Sequence, residues 1–375
     1  MKILLTGGGS GGHFYPIIAV AEQLNKLAGE ERLVDLSLFY MSDDAYDKNL
    51  LADNKIQYLS VSAGKLRRYF SFQNFVDIFK TGFGVIKSFW TIFKIFPDVV
   101  FGKGGYASFP ALLSARIFGI PVMIHESDSV PGKVNRWAGK FAKTVAVSYP
   151  EAAKYFPSGK AVCTGNPIRQ SLMNIEKEGA TTFLKLEENV PVILILGGSL
   201  GAKIINETIV EILPKLLQKY QIIHQTGKDN FAEITQLANV ILEKNQFAGR
   251  YKPFAFLNSN AMKMCAGVAN LVISRAGSTI FEIANWGIPS IIIPISDSNG
   301  DHQRENAFNY ARSGGAVVVE EANLGGNVLI FEIDRLFGNS QKLSEMSRSA
   351  KSFSRSDSAL VIAQAIIDLG LSHEK

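Results

Sequence analysis

Two glycine-rich turns, each leading from an apolar run into a helical pattern, stand half a chain apart and constrain what this sequence can become. The first is Gly7-Gly8-Gly9-Ser10-Gly11-Gly12-His13 after Lys2-Ile3-Leu4-Leu5-Thr6. The second is Gly197-Gly198-Ser199-Leu200-Gly201-Ala202 after Val192-Ile193-Leu194-Ile195-Leu196. Such turns bring backbone N–H groups against a phosphate at the positive end of a helix, because glycine has no side chain in the way and tolerates positive φ. One in each half predicts two phosphate-binding α/β domains, a layout suited to joining two phosphorylated substrates.

Short β-rich runs at 2–6, 36–41, 57–61, 98–101, 121–124 and 144–147 alternate with helical patterns such as 17–28 and 73–95. This βα repetition predicts a parallel sheet with right-handed crossovers. The second half repeats it, with runs at 192–196, 221–224, 270–273, 289–293 and 315–319 between helical stretches that include 203–219, 278–286 and 302–313. The turn residues of Thr164-Gly165-Asn166-Pro167-Ile168-Arg169 mark the boundary. The expected domains are 1–165 and 166–345, with 346–375 a helical segment returning to the first.

At 375 residues and 47% apolar composition the chain can bury two ordinary cores. Cys163 and Cys265 lie far apart with no His or Cys at ligand spacing, which argues against a disulfide framework and a zinc site and for a reducing cytoplasm. The apolar run before the first glycines is too short for a signal peptide, and no stretch approaches the roughly 18 apolar residues of a spanning helix. Charge is uneven: residues 1–165 hold 19 Lys+Arg against 13 Asp+Glu, and the remainder 20 against 21. The basic half suits an anionic surface or ligand, while its charges are too dispersed for a nucleic-acid site.

Gly7, Gly9 and Gly12 satisfy Gly-x-Gly-x-x-Gly, but the acid that a dinucleotide site needs about 20 residues later is missing, Asp43 and Asp44 coming some ten residues too late. A second glycine loop, Gly102-Lys103-Gly104-Gly105-Tyr106-Ala107-Ser108, follows Val99-Val100-Phe101 and belongs at the same carboxyl edge, where open α/β sheets bind ligands. His125-Glu126-Ser127-Asp128 brings an imidazole and carboxylates to that rim; a capped helix start and a structural hydrogen bond are the competing uses of these residues. In the second half Ser274-Arg275-Ala276-Gly277-Ser278-Thr279 passes from strand to helix, with Glu282 one turn further in. A helix N-terminus there suits a diphosphate, and the glutamate suits ribose hydroxyls. Asp301-His302-Gln303-Arg304-Glu305-Asn306-Ala307 offers amide and carboxylate groups for sugar hydroxyls, or a helix cap.

Seven segments carry a resemblance: GGGSGGHFYP at 7–16, GKGGYASFP at 102–110, HESDSVPGKVNR at 125–136, TGNPIR at 164–169, GGSLGA at 197–202, SRAGSTIFEIANWGIPSIIIP at 274–294 and DHQRENA at 301–307. In this order the chain resembles the MurG family, UDP-N-acetylglucosamine transferases that act on undecaprenyl-diphospho-muramoyl-pentapeptide (lipid I) in bacterial cell-wall synthesis. The resemblance implies an α/β fold of two Rossmann-like domains with parallel sheets facing across a cleft, the GT-B arrangement. It puts UDP-GlcNAc on the C-terminal domain and the lipid-linked acceptor on the N-terminal one. By motif, Arg169 and Ser199 would meet the donor diphosphate region, Ser278, Thr279 and Glu282 the diphosphate and ribose, Leu257 the uracil through its backbone, and Gln303 the GlcNAc hydroxyls. Ser10, Gly11, Gly12 and His13 would lie beside the transferred sugar, with Asp128 also on the donor. Gly104, Gly105 and Tyr106 would grip the acceptor diphosphate. Ser10 replaces the family's usual threonine, and Ser127-Asp128 stands where many members have Gln-Asn.

Departure of UDP builds negative charge on the diphosphate, and the chain contains no Asp-x-Asp triplet to hold a metal there. Helix N-termini with Arg169 are the expected substitute, with no metal or cofactor, and direct attack would invert the anomeric centre to give a β-1,4 linkage. His13 is the first candidate for the base and Glu126 the competitor. Residues 66–96 are aromatic and almost free of acids; Phe75, Phe79, Phe83, Ile86, Trp90 and Phe93 share a helical face flanked by Lys80, Lys87 and Lys94. We expect much of that stripe in the core, with Arg67-Arg68-Tyr69-Phe70 and part of the helix on the cytoplasmic face of the membrane. Other cell-wall synthesis proteins are a further class of partner. A transferase with another acceptor, a UDP-sugar epimerase and a non-catalytic UDP-GlcNAc-binding scaffold are the alternatives.

Overall fold

The computed structural model describes residues 1–30, 35–64, 72–197 and 202–373, which form two compact units, Met1–Arg169 with Arg355–Lys375 and Gln170–Ser354. In the first unit the chain runs β1 (Lys2–Thr6), α1 (Gly11–Glu30), β2 (Ser37–Ser42), α2 (Lys48–Asp53), β3 (Ile56–Ser60), α3 (Phe72–Ile95), β4 (Val99–Gly102), α4 (Phe109–Ile117), β5 (Val122–Glu126), α5 (Lys133–Ala138), β6 (Thr144–Val147) and β7 (Ala161–Cys163). The sheet order is β3-β2-β1-β4-β5-β6-β7 and every pairing is parallel. The order reverses between β1 and β4, so the turns leaving those strands splay apart and open a crevice at their carboxyl ends. Both glycine loops of this half begin there.

The second unit runs α6 (Gln170–Met173), α7 (Ala180–Phe183), β8 (Val192–Leu196), α8 (Lys203–Leu216), β9 (Gln221–Gln225), α9 (Phe231–Ile241), β10 (Tyr251–Phe254), α10 (Ser259–Val268), β11 (Leu271–Ser274), α11 (Thr279–Trp286), β12 (Ser290–Ile292), α12 (His302–Arg312), β13 (Ala316–Val318), α13 (Gly326–Phe337) and α14 (Ser340–Phe353). Its parallel sheet, β10-β9-β8-β11-β12-β13, reverses between β8 and β11. The last helix, α15 (Ser358–His373), lies in the first unit, where Ile362, Ala363, Ile366 and Ile367 pack into the core around α1. Each sheet is buried on both faces, which is why its central strands read as continuous apolar runs rather than alternating ones.

Helix α3 corrects the expectation that its aromatic stripe is largely core. Phe79, Phe83, Ile86, Trp90 and Phe93 are all more than half exposed, with Phe83 at 71%. The buried face carries Asp77, Gly84, Ser88 and Ile92 instead. Gly84 sits so close to the chain that follows β3 that a side chain there would collide with the Ser62 carbonyl oxygen. Ser88 donates to Met41 Sδ at 3.3 Å, and Thr81 accepts from Gly64 N–H at 3.0 Å. Small and polar residues let the helix backbone approach closely, and the bulky stripe turns outward. Arg67, Arg68, Tyr69 and Phe70 lie outside the described residues, as does the side chain of Phe75.

Candidate active site

The turn after β1 passes through Gly9 at φ 86° and enters α1 at Gly11. Ser10 is exposed; its carbonyl accepts from the His13 and Phe14 N–H groups, and its hydroxyl lies 3.1 Å from His13 Nδ1. Gly12 and His13 are half-buried on the first turn of the helix. The loop after β4 crosses this turn closely. Gly105 has φ 80° and ψ 161°, a region essentially confined to glycine, and a side chain on it would begin 2.5 Å from Gly8 O and 3.5 Å from His13 Cε1. The neighbouring Gly104, at φ 92°, faces the Asn135 amide. The Tyr106 ring covers Gly9, and its hydroxyl donates to Asp43 Oδ2 at 2.7 Å; burial and this carboxylate together push the phenol up to about 12. His13, Gly104, Gly105 and Tyr106 are therefore brought together at the switch point of one sheet.

The turn after β5 is organised by Glu126. Its carboxylate, 5% exposed, accepts from Asp128 N–H at 3.0 Å, Gly132 N–H at 3.1 Å and Asn135 Nδ2 at 2.9 Å. Burial, reinforced by Asp128, raises its pKa against the pull of these donors and of Lys103. His125 is fully buried, with Nε2 2.9 Å from Gly165 O, and burial holds it well below the usual imidazole range. That places His125 in the fold's scaffold. Asp128 is half-buried beside it on the rim. Arg169 lies at the end of the same unit with its guanidinium 4.0 Å from the centre of the Tyr15 ring.

In the second unit the turn after β11 opens α11 at Thr279, with Ser278 before it and Glu282 half-buried in the first turn. A side chain on Gly277 would meet nothing within 4 Å, so space stands open before this helix end. Arg275 donates to Glu321 Oε1 at 2.5 Å and to Ile293 O at 3.2 Å, while Glu321 Oε2 accepts from Ser296 N–H at 2.9 Å. The pair thus ties the turn after β11 to the loop after β12. Gln303, on α12, accepts from Ile295 N–H at 3.2 Å, which holds its side chain against that same loop. Leu257 is 3% exposed and its N–H donates to Gln225 Oε1 at 2.9 Å. Ser199 lies outside the described residues.

Four participants were not singled out from the sequence. Lys103 leaves β4 within the glycine loop and donates to Ser127 Oγ; a lysine between an apolar strand and two glycines was the available signal. Asn135 and the Arg275–Glu321 pair had no local signal, because their partners are 9 and 46 residues away.

Residues 3–147 match the model of the glycosyltransferase family 28 N-terminal domain, and residues 192–361 that of the glycosyltransferase family 28 C-terminal domain. A curated protein of Treponema denticola named UDP-N-acetylglucosamine--N-acetylmuramyl-(pentapeptide) pyrophosphoryl-undecaprenol N-acetylglucosamine transferase is 36% identical over 96% of this chain and 96% of its own. One of the same name from Clostridium perfringens is 38% identical over 93% and 94%. Among solved structures, Acinetobacter baumannii MurG is similar at 26% identity with a TM-score of 0.73, over 98% of this chain and 99% of that one.

Proposed function

Because this chain belongs to glycosyltransferase family 28, we propose that it moves GlcNAc from UDP-GlcNAc to the muramoyl C4 hydroxyl of lipid I, giving lipid II for peptidoglycan synthesis. The observation that carries this reading is the likeness to curated transferases of that name across both units, with a glycine turn beginning at the switch point of each sheet.

In the donor half, the N-termini of α8 and α11 supply positive ends for the diphosphate, where charge grows as UDP leaves. Ser278 and Thr279 offer N–H and hydroxyl donors, Glu282 accepts from the ribose, and Gln303 addresses the sugar. Ser199 and Arg169 add to the diphosphate contacts, and Leu257 presents its backbone to the uracil.

In the acceptor half, Gly104, Gly105 and Tyr106 receive the diphosphate of lipid I, and His13 takes the proton from the attacking hydroxyl. If His13 Nδ1–H donates to Ser10 Oγ, Nε2 is the nitrogen that takes that proton. Glu126 has both oxygens engaged by its own turn, which favours His13 as base and gives Glu126 the task of shaping the rim that carries Asp128.

The exposed stripe of α3, with Lys80, Lys87 and Lys94 on its flank, supports attachment to the cytoplasmic face of the membrane, the apolar side chains entering the interface and the lysines meeting anionic headgroups. No helix among the described residues is long and apolar enough to cross a membrane.

The test is transfer of radiolabelled GlcNAc to a lipid I analogue in the presence of EDTA, against a soluble muramoyl peptide. Lipid-dependent product in EDTA is the expected result. UDP-GlcNAc binding without transfer would overturn the reaction assigned here.

A further inference from the structure

Among the described residues Lys103 is the only buried lysine, with 1% of its surface exposed. Its backbone N–H donates to Thr6 O at 2.8 Å, and its Cβ lies 3.1 Å from where a side chain on Gly7 would begin, so the residue runs beneath the first glycine turn. Its ammonium donates to Ser127 Oγ, and the Ser127 hydroxyl donates onward to Asn166 Oδ1 at 3.3 Å. A buried ammonium is costly unless another charge balances it. Here the buried balancing charge is Glu126, whose carboxylate holds the turn to Gly132 through two backbone N–H groups.

We propose that Lys103 is a positioning residue for the glycosyl transfer, its buried ammonium balancing the Glu126 carboxylate so that the carboxylate holds the 126–132 turn and presents Asp128 to substrate. The inference rests on the assignment of this rim to substrate made above. Once that ammonium loses its charge, the Glu126 carboxylate is a buried anion without its balancing partner, and the turn relaxes to let water reach it. Burial brings Lys103 down to about 8, while Glu126 and then Asp128 pull it back up. The charged or titratable groups around it are Glu126 and Asp128 on the turn after β5 and His125 on β5, the last held neutral by burial. The turn after β1 contributes Gly7 and the turn after β7 the neutral Asn166. Lys103 thus sheds its proton just above neutral pH, which leaves the Glu126 carboxylate unbalanced, and the turn loosens as pH rises through about 8.

The experiment uses the full chain and reads two quantities from pH 6.5 to 9.5: the rate of GlcNAc transfer to the lipid I analogue, and the hydrogen exchange of the Asp128 and Gly132 amides corrected for intrinsic rates. In the natural protein both the rate and the amide protection fall above about pH 8. Lys103→Met lowers kcat about tenfold or more at pH 7.5, exposes both amides at every pH and abolishes the alkaline fall. Lys103→Arg, which keeps its charge to far higher pH, retains the neutral rate within about threefold and carries it to pH 9.5. A rate that rises through pH 8 would make neutral Lys103 a proton acceptor through Ser127 and overturn the positioning role. So would an alkaline fall that persists in Lys103→Met, or amides whose protection ignores both pH and the substitution. Were the natural protein unable to transfer GlcNAc at any pH, the reaction assigned above would fail, and the amide exchange would still decide whether Lys103 holds the turn.

Discussion

Gly105 is where the backbone of the acceptor half is most constrained, and Gly105→Ala tests whether that constraint shapes the site. At φ 80° and ψ 161° an L-residue bears strain of about 1–3 kcal/mol. The new methyl would also start 2.5 Å from Gly8 O, a backbone atom that can move only with its whole turn. Relieving that overlap adds about 1–2 kcal/mol, so a total near 3 kcal/mol is expected, with Tm lowered by roughly 8 °C for a unit of this size. The displaced turn carries His13, whose Cε1 is 3.5 Å from the same methyl position. A shift of about 1 Å in a positioning group costs on the order of a hundredfold in rate. Transfer to the lipid I analogue should therefore drop about a hundredfold in kcat, while UDP-GlcNAc affinity, measured by calorimetry, falls much less because Ser278, Thr279, Glu282 and Gln303 sit on the other unit. Gly132→Ala is the control on the same rim. Its φ of −65° is ordinary and nothing lies within 4 Å, so rate and Tm should hardly move. A Gly105→Ala protein that keeps its rate within threefold would refute the claim that this crossing positions the chemistry.

Ser10→Ala should lower kcat about tenfold by releasing the His13 ring, Ser10→Thr should restore it, and His13→Gln should cost about a hundredfold or more; equal rates for Ser10→Ala and the natural protein would remove the ring-orienting role. Replacing both Phe83 and Trp90 by Ser should weaken binding to anionic vesicles about a hundredfold, and Lys87→Gln about fivefold with a smaller salt dependence; partition that ignores all three changes would return α3 to a role away from lipid. Arg275→Ala should cost the second unit about 3 kcal/mol and raise KM for UDP-GlcNAc, read by thermal melts and initial rates. Burial would lift the Glu321 carboxyl, but the Ser296 N–H and Arg275 outweigh it and hold the pKa down. The stabilisation it gives is therefore complete above the unfolded carboxyl pKa and disappears as pH falls through the lower folded one, so the melting advantage over Arg275→Ala should vanish on acidification.

The two sheets were legible because a strand buried on both faces leaves a continuous apolar run, and glycine after such a run marks a switch-point turn. What escaped lay where that signal is weakest. The unassigned strands β7 and β10 are the outermost of their sheets, three and four residues long. Pro253 within β10 is tolerated because an edge strand can leave one ladder donor unused. Helix α1 starts at Gly11, ahead of the 17–28 pattern, and takes in Pro16 at its sixth position, where the ring forfeits one hydrogen bond of the helix. For α3 the sequence revealed an apolar face but not which way it turns. Close approach at Gly84 decides that, and this is a contact with Ser62, 22 residues earlier in the chain. The same reason hides the buried polar network. The glycines, His13 and Asp128 announce themselves locally, whereas Lys103 acquires its meaning from Ser127, Glu126 and Asn166, which only the parallel order β4-β5-β6-β7 brings beside it. Groups expected to touch substrate were therefore readable as motifs, while those that hold them in place became readable only from the sheet.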